Sequence, residues 1–284
     1  MYPITLMCEV LKVSTSGYYD AVDRAPSPRA MRQARIRQDV QQVYQEHHGI
    51  YGSWKIAEVM AKRDALASVC RNTVAKAMNE LGLRSRVRKA FVPTTTQVDP
   101  SKRPAANLLD QDFTAEAPNR KWVTDITYLS TQQGWVYLAT VMDCFSRRII
   151  GWSLGDALAT ALVSDALRHA IEARRPCGDH LLHHSDRGSQ YTSDGYRQTL
   201  RTLGITCSMS RTGCCYDNAA MERFFWSLKH EWTNHERYAD LADARLSVFK
   251  YIDLFYNRKR IHQALGYVSP EQYEADHAPA TKVA

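Results

Sequence analysis

The sequence predicts an α/β protein in which a mixed sheet is flanked by helices, a helical region precedes the sheet and a helical tail follows it. Apolar residues recur at helical spacing before residue 84 and again after residue 235. Between these regions, three β-type runs are joined by short turns and are followed by helical and β-type segments in alternation. Because hairpins make antiparallel neighbours and helical crossovers make parallel ones, this order predicts a sheet of both kinds.

The first segment, residues 1–36, is predicted to be helical and basic. Its apolar residues at helical spacing are Ile4, Leu6, Met7, Val10 and Leu11. The stretch from Ser14 to Gly17 is interpreted as a stop or turn, and Pro26 and Pro28 are expected to break the chain. A basic cluster follows at Arg29, Arg32, Arg35 and Arg37.

Residues 37–98 are predicted to hold a helix-turn-helix. A turn over residues 49–52 precedes a short helix that Ser53 caps, and Ser68 is expected to cap a second helix that stops at Gly82. The polar face of the second helix carries residue types that bind phosphates and base edges: Arg71, Asn72, Thr73, Lys76 and Asn79. We predict DNA contacts for Arg71, Asn72 and Lys76. An ordinary helical bundle with a solvated polar face is the alternative.

Residues 99–117 are assigned to a linker, at the end of a stretch from residue 84 that is rich in Pro and Thr and poor in apolar residues. The core, residues 118–232, is expected to contain strands at 122–129, 135–142, 149–154, 180–184 and 205–209, and helices at 159–174, 194–203 and 219–234. Residues 233–284 are predicted to be a helical extension, in which Gly266 ends one helical region and Ser269 and Pro270 start a last short helix.

The composition favours a polyanionic partner. The formal net charge is +7, and further basic clusters, which favour a long DNA path, lie at Arg84, Arg86, Arg88 and Lys89, at Lys121, Arg147 and Arg148, and at Arg258, Lys259 and Arg260. The sequence has no apolar run long enough for a membrane span and no signal-peptide pattern, so a cytoplasmic protein is expected. The seven cysteines form no C-x-x-C pair and are interpreted as reduced thiols.

Three acidic residues stand where a carboxylate is costly unless it is paired or binds a cation. Asp125 lies inside the apolar first strand, Asp186 directly follows the strand HLLHH, and Glu222 lies in the helix after a glycine-containing loop. Singly, each is also compatible with an ordinary solvated residue, but together they can share divalent metal. Oxygen ligands favour Mg²⁺ or Mn²⁺ over zinc, and two such ions about 4 Å apart can clamp an in-line displacement at phosphorus.

The helix around Glu222 carries one further candidate. Lys229 follows Glu222 by two turns and lies near the same helix face, from which it can reach a phosphate. A surface lysine is an equally good interpretation. Phe224, Phe225 and Leu228 are predicted to pack in the core.

Several long motifs in the sequence resemble those of retroviral integrases and, more closely, those of the OrfB transposases of the two-frame OrfA/OrfB insertion-sequence family. The gap of 35 residues between Asp186 and Glu222 matches the DD(35)E pattern. The other matching motifs are W-x-x-D-I-T-Y at 122–128, H-S-D-R-G-S-Q-Y at 184–191, S-R-x-G-x-x-x-D-N-A-x-x-E-x-F-F-x-x-L-K at 210–229, Y-N-x-x-R-x-H-x-x-L-G-Y-x-x-P at 256–270, H-x-x-Y-G at 48–52 and V-S-x-S-G-Y-Y at 13–19.

The resemblance implies an RNase-H-like integrase core that cleaves DNA at element ends and joins a 3′-hydroxyl to a phosphodiester. It gives Asp125, Asp186 and Glu222 the metal-ligand positions for two Mg²⁺ or Mn²⁺ ions, and it implies that Lys229 and Arg211 contact DNA. The implied partners are double-stranded DNA, an OrfA partner or fusion, and further copies in a dimer or higher oligomer on DNA. The implied location is the bacterial cytoplasm, with nucleoid association during action.

Two other functions stay open at this point. One is an RNase-H-type nuclease that cuts without strand joining. The other is a non-catalytic DNA-binding regulator of transposition, for which the three carboxylates would be dispensable.

Overall fold

The computed structural model describes residues 3–63, 69–86, 104–176, 180–211 and 214–278. Contacts within the chain divide it into two units, Met1–Arg84 and Ser85–Ala284, which are taken in turn. The predicted boundary between residues 98 and 99 lies outside the described residues, as do Ser68, Arg88 and Lys89.

The described part of the first unit is helical, as predicted: α1 is Ile4–Val10, α2 Thr15–Asp23, α3 Pro28–Glu46, α4 Ser53–Ala61 and α5 Arg71–Glu80. The interpretation of Ser14–Gly17 as a stop or turn is wrong. These residues begin α2, because the Ser14 hydroxyl accepts a hydrogen bond from Gly17 N at 3.0 Å and caps the helix. Pro28 is the first residue of α3, where its missing N–H costs nothing, and α3 then continues through the predicted boundary at residue 36.

Helices α4 and α5 form the predicted pair of short helices, and they pack with α3 around an apolar core. The core includes Val40, Val43, Ile56, Met60 and Val74. Helix α4 starts one residue earlier than expected, so that Gly52 is its cap and Ser53 its first residue. Gly82 ends α5 as predicted, with a φ of +66° that lets Leu83 N donate to Met78 O at 2.8 Å.

The second unit is built on a five-stranded sheet in the order β3-β2-β1-β4-β5. The strands are β1 Lys121–Thr131, β2 Gly134–Asp143, β3 Arg148–Gly155, β4 Leu182–Ser185 and β5 Thr206–Met209. The first three strands pair antiparallel, whereas β4 is parallel to β1 and β5 is parallel to β4. The predicted mixed sheet is therefore confirmed.

Helices flank this sheet and follow it: α6 Thr160–Arg174, α7 Asp194–Thr202, α8 Ala219–Glu231, α9 Leu241–Phe249 and α10 Pro270–Asp276. Helix α9 continues into a π-helical stretch, Lys250–Tyr256. Gly266 (φ +69°) and the Ser269 cap of α10 lie where the sequence predicted a stop and a start. Among the described residues, no helix is both long enough and apolar enough to cross a membrane.

The outer edge of β3 is bonded to side chains. The Asn257 amide accepts from Ile149 N at 3.0 Å and donates to Ile149 O at 2.9 Å. His169 Nδ1 donates to Trp152 O at 2.8 Å, and Arg245 donates to Leu154 O at 2.5 Å. Side chains of the helical layers thus occupy backbone groups of an edge strand.

Among the described glycines, Gly151 has the least room for a side chain, because β3 lies against α6 at this residue. A Cβ there would overlap Ala166 O and lie 2.6 Å from Ala170 N. We expect Gly151→Ala to destabilise the protein by about 1–3 kcal/mol, the usual cost of overpacking. Urea unfolding measures this. Gly155→Ala, on the same strand, is the control, because its Cβ would come no closer than 3.4 Å to Leu162 Cδ1. Equal stability of the two variants would contradict the prediction.

Candidate active site

Two of the predicted acids lie on neighbouring parallel strands, Asp125 within β1 and Asp186 directly after β4. The last register pair of β1 and β4 is Val123 with His184. Asp125 and Asp186 each follow that pair by two residues, so both keep the side-chain direction of the pair above them. Asp125 Oδ1 accepts a hydrogen bond from Ile126 N at 2.8 Å, and Asp186 Oδ1 accepts one from Gly188 N at 2.9 Å. The parallel pairing thus brings two carboxylates to one point of the sheet.

The third acid, Glu222, lies in the first turn of α8 and is exposed. The start of α8 is fixed to β1 by Asn218, whose Nδ2 donates to Thr124 O at 3.1 Å. Thr124 immediately precedes Asp125. The hydrogen bond therefore places the first turn of α8 beside the strand that carries the first acid.

The charges of the three acids act on one another. Burial raises the pKa of Asp125, and the negative charges of Asp186 and Glu222 raise it further. Burial also raises the pKa of Asp186 and of Glu222. Among the described residues, no three His, Cys, Asp or Glu side chains lie close enough together to hold one metal ion in the arrangement seen here. Mutual repulsion disfavours closing three carboxylates on one another without a cation.

Lys229 lies at the same site. Its Nζ is 4.4 Å from the centroid of the Tyr128 ring, which is a cation–π contact. Burial lowers the pKa of Lys229, whereas the charge of Asp125 raises it. The surface-lysine interpretation is thereby disfavoured, since the side chain is half-buried and feels the first acid. The neighbouring residues Phe224, Phe225 and Leu228 are buried in the core, as predicted.

Arg211 has a partner that the sequence did not suggest. Its Nη2 donates to Asp217 Oδ1 at 2.8 Å, its Nε to Asp217 Oδ2 at 3.1 Å and its backbone N to Asp217 Oδ2 at 2.8 Å. The side chain is still 51% exposed, so its predicted DNA contact stays a prediction. Sequence reasoning missed Asp217; the available signal was an acid–amide pair, Asp217-Asn218, directly before the helix of Glu222.

The polar face predicted on α5 is exposed. Arg71, Asn72, Thr73, Lys76 and Asn79 all lie on it. Arg71 stacks over the ring of Trp54 at 5.1 Å, and Lys76 is 73% exposed with Glu80 4.0 Å away. These residues belong to the first unit, whereas the three acids belong to the second.

Several basic residues expected along a DNA path are instead held by acids. Arg260 is buried and donates to both oxygens of Glu231, at 2.7 and 2.6 Å. Lys121 lies 2.7 Å from Asp112, and Arg148 lies 2.8 Å from Glu274. The prediction of a DNA path through these positions considered the basic residues without the acidic residues that pair with them. For Arg260 it is wrong, because a buried guanidinium cannot reach a phosphate.

Comparisons with known proteins agree with this arrangement. Models of an integrase core domain match residues 115–215 and 203–270, and a model of an HTH-like domain matches residues 31–91. The chain is 38% identical to the transposase InsF for insertion sequence IS3A of Escherichia coli (strain K12) over 96% of this chain and 94% of that protein. It is also 38% identical to the uncharacterized 31 kDa protein of insertion element IS600 from Shigella sonnei, over 94% and 97%.

Solved structures with similarity to the chain include the HTLV-2 integrase catalytic core domain in complex with magnesium. That structure is 16% identical with a TM-score of 0.43, and the match covers 56% of this chain and 98% of that one. A second is the simian T-cell lymphotropic virus intasome in complex with the PP2A regulatory subunit B56 gamma. It is 15% identical with a TM-score of 0.48, over 85% of this chain and 76% of that one.

Proposed function

The chain belongs to the insertion-sequence transposases with an integrase core, which are polynucleotidyl transferases of the DDE type, and on that premise we propose that Asp125, Asp186 and Glu222 are its catalytic carboxylates. The observation that carries the proposal is the arrangement of three chain elements: β1 carries Asp125, Asp186 directly follows its parallel neighbour β4, and the hydrogen bond from Asn218 to Thr124 O holds the start of the Glu222 helix beside β1. The effect of the Asp186 and Glu222 charges on the pKa of Asp125 supports this assignment.

We further propose that these carboxylates hold divalent metal, Mg²⁺ or Mn²⁺, as two ions. The donor set fits, because it consists of carboxylate oxygens that hard cations prefer. Asp125 and Asp186 each accept one backbone hydrogen bond from a described residue, which leaves acceptor capacity on both. Burial raises the pKa of both aspartates, and a bound cation would favour their ionised form. Bound metal would polarise the phosphodiester and stabilise charge on the attacking and leaving oxygens.

The remaining residues of the site would orient the DNA. Lys229 presents a half-buried cation next to Asp125, where it can bind a phosphate of the strand to be cut. The backbone donors Ile126 N and Gly188 N keep the two aspartates in fixed orientations. Glu222 is exposed on its helix and can adjust more readily than Asp125 and Asp186.

The first unit would bind DNA through the exposed face of α5, with Arg71, Asn72 and Lys76 as contacts. We propose residues 37–98 as the DNA-binding region, 118–232 as the catalytic region, 99–117 as the linker between them, and 1–36 and 233–284 as flanking segments. An OrfA partner or fusion, assembly as a dimer or larger oligomer on DNA, and action at the nucleoid in the cytoplasm complete the proposal.

Lys76→Ala is expected to weaken DNA binding by a similar factor on all sequences, because its exposed ammonium would contact a phosphate. The slope of log affinity against log salt should become less steep by about 1. Titration of labelled DNA at several salt concentrations measures this slope. Arg24→Ala removes the same charge from the residue that follows α2, where Arg24 is paired with Asp20 at 2.5 Å, and serves as the control. An unchanged slope for Lys76→Ala would contradict the assigned contact.

The proposed function is tested with purified protein, Mg²⁺ and DNA that carries the element's own ends, with and without the upstream reading frame supplied. We expect cleavage at the ends and joining of the 3′-hydroxyl to a target. Cleavage without any joining would instead favour a nuclease. Activity that is the same with and without the upstream frame would remove the need for an OrfA partner.

A further inference from the structure

A short segment ahead of the sheet, residues 107–111, is bonded to Asp217, which lies two residues before α8. Asn107 Nδ2 donates to Asp217 Oδ2 at 3.0 Å, and Gln111 Nε2 donates to Asp217 Oδ1 at 3.0 Å. Together with Arg211 and with Cys214 Sγ at 3.3 Å, these donors surround a carboxylate that has no solvent exposure. The hydrogen bonds hold the pKa of Asp217 well below its usual range, with that from Arg211 contributing most.

The same segment is also bonded to β5, the strand next to the β4 strand that Asp186 directly follows. The backbone N–H groups of Leu108 and Leu109 donate to Ser208 Oγ at 2.9 and 3.2 Å. Ser208 Oγ in turn lies 2.8 Å from His184 Nδ1, and His184 precedes Asp186 by two residues. The 107–111 segment is therefore linked through Ser208 and His184 to the strand before the second acid, and through Asp217 to the start of the helix that carries the third.

Asp217 is the shortest connection between this segment and Glu222. The next residue, Asn218, donates to Thr124 O beside Asp125, and α8 begins directly after it. A displacement of Asp217 would thus move the start of α8 along β1. Glu222, four residues after Asn218, would move with it.

We propose that Asp217 is a positioning residue, which the 107–111 segment and Arg211 hold in place so that Glu222 stands at the correct distance from Asp125 and Asp186. This inference rests on the proposed function, because it assumes that Glu222 is a metal ligand. Mg²⁺ makes position matter, since it demands near-ideal octahedral geometry. In this role Asp217 acts through Glu222.

A purely structural role would give the same hydrogen bonds, and Glu274 offers a matched comparison. Its carboxylate also has several donors: Ser146 Oγ at 2.7 Å, Arg148 Nη1 at 2.8 Å and the guanidinium of Arg174. These contacts tie α10 to the turn after β2 and to α6, which carry none of the three acids. Loss of Glu274 should therefore lower stability alone.

The test measures Mn²⁺ binding to the full-length protein by calorimetry and, separately, the melting temperature. For Asp217→Asn we expect a rise in the Kd for Mn²⁺ of about 10- to 100-fold, the usual effect of losing an outer partner of a metal ligand. The double variant Asn107→Ala with Gln111→Ala keeps Arg211 and should raise the Kd less, with little risk to folding since Gln111 is exposed. Glu274→Gln should lower the melting temperature and leave the Kd unchanged.

An unchanged Kd in a folded Asp217→Asn protein, or in the double variant if Asp217→Asn does not fold, would overturn the inference. Glu222→Gln separates this failure from that of the proposed function. If Glu222→Gln weakens Mn²⁺ binding and the Asp217 and 107–111 variants do not, only the positioning role is wrong. If Glu222→Gln has no effect on Mn²⁺ binding, the assignment of Glu222 itself is wrong.

Discussion

Asp125→Asn is expected to abolish both strand cleavage and strand joining while the protein remains at least as stable as the parent. Activity should fall by more than about 100-fold, which is the upper end of the loss when only an outer partner of a metal ligand is removed. Stability should not fall, because the amide keeps the oxygen that accepts from Ile126 N. It also removes a charge that repels Asp186 and Glu222.

The sign of the stability effect follows from the pKa. Folding raises the pKa of Asp125, so above the pKa of the unfolded chain the ionised carboxylate destabilises the metal-free protein. At neutral pH the asparagine relieves that cost. Thermal unfolding without metal, a DNA-binding titration and a cleavage assay with Mg²⁺ test the three parts of the prediction. Asp165→Asn, at an exposed position on α6 paired with Arg168, is the control and should retain activity. Retained cleavage in Asp125→Asn would show that Asp125 is not a catalytic carboxylate, whereas absence of Mg²⁺-dependent cleavage in the parent as well would favour the non-catalytic regulator.

Arg260→Met is expected to destabilise the protein by about 3–5 kcal/mol, the usual cost of leaving one member of a buried ion pair alone. Glu231 is 3% exposed and accepts from both Arg260 and the Tyr251 hydroxyl, the latter at 2.9 Å. Arg260 also donates to Ser227 Oγ at 3.1 Å, so one guanidinium holds two residues of α8 a turn apart. Without it, the Glu231 carboxylate stays buried near an apolar core.

Urea unfolding of Arg260→Met measures this loss, and a double variant, Arg260→Met with Glu231→Leu, is its control. Replacing both charges by apolar groups is often neutral or stabilising, so the double variant should recover most of the stability. The salt dependence of DNA binding should be the same as in the parent, since Arg260 is buried. If Arg260→Met folds but binds DNA more weakly, the result would support the DNA contact that the basic stretch of the sequence suggested.

The sheet and the positions of Asp125 and Asp186 were predictable from the sequence, because the pattern that marks a strand depends on residues close together in the sequence. A carboxylate inside the apolar run WVTDITYL stands out because burying it is costly, and the β-α-β order makes the strand before Asp186 a parallel neighbour. The position of Glu222 was predictable from its spacing to Asp186 and from the sequence motif around it. Its predicted helix was correct to within three residues at the C-terminal end.

Other features could not be predicted because they depend on partners distant in sequence. Asp217 and Asn107 are 110 residues apart, and Arg260 and Glu231 are separated by 29. A count of basic residues gives charge but not burial, and Arg260 was misassigned for that reason. At Ser14 the error was local: the same residue types serve turns and helix caps, and only the hydrogen bond to Gly17 N distinguishes them.

The bonded edge of β3 limits how copies of the protein can meet. An open edge strand is a template on which another chain can add a strand, and proteins crowded together on one DNA molecule would be at risk of such aggregation. Here Asn257, His169 and Arg245 already bind backbone groups of β3. At the opposite edge, Met209 N donates to Ala106 O at 3.3 Å. These hydrogen bonds occupy some of the backbone groups through which either edge strand could pair with another copy, and so they disfavour extension of the sheet from one molecule to the next.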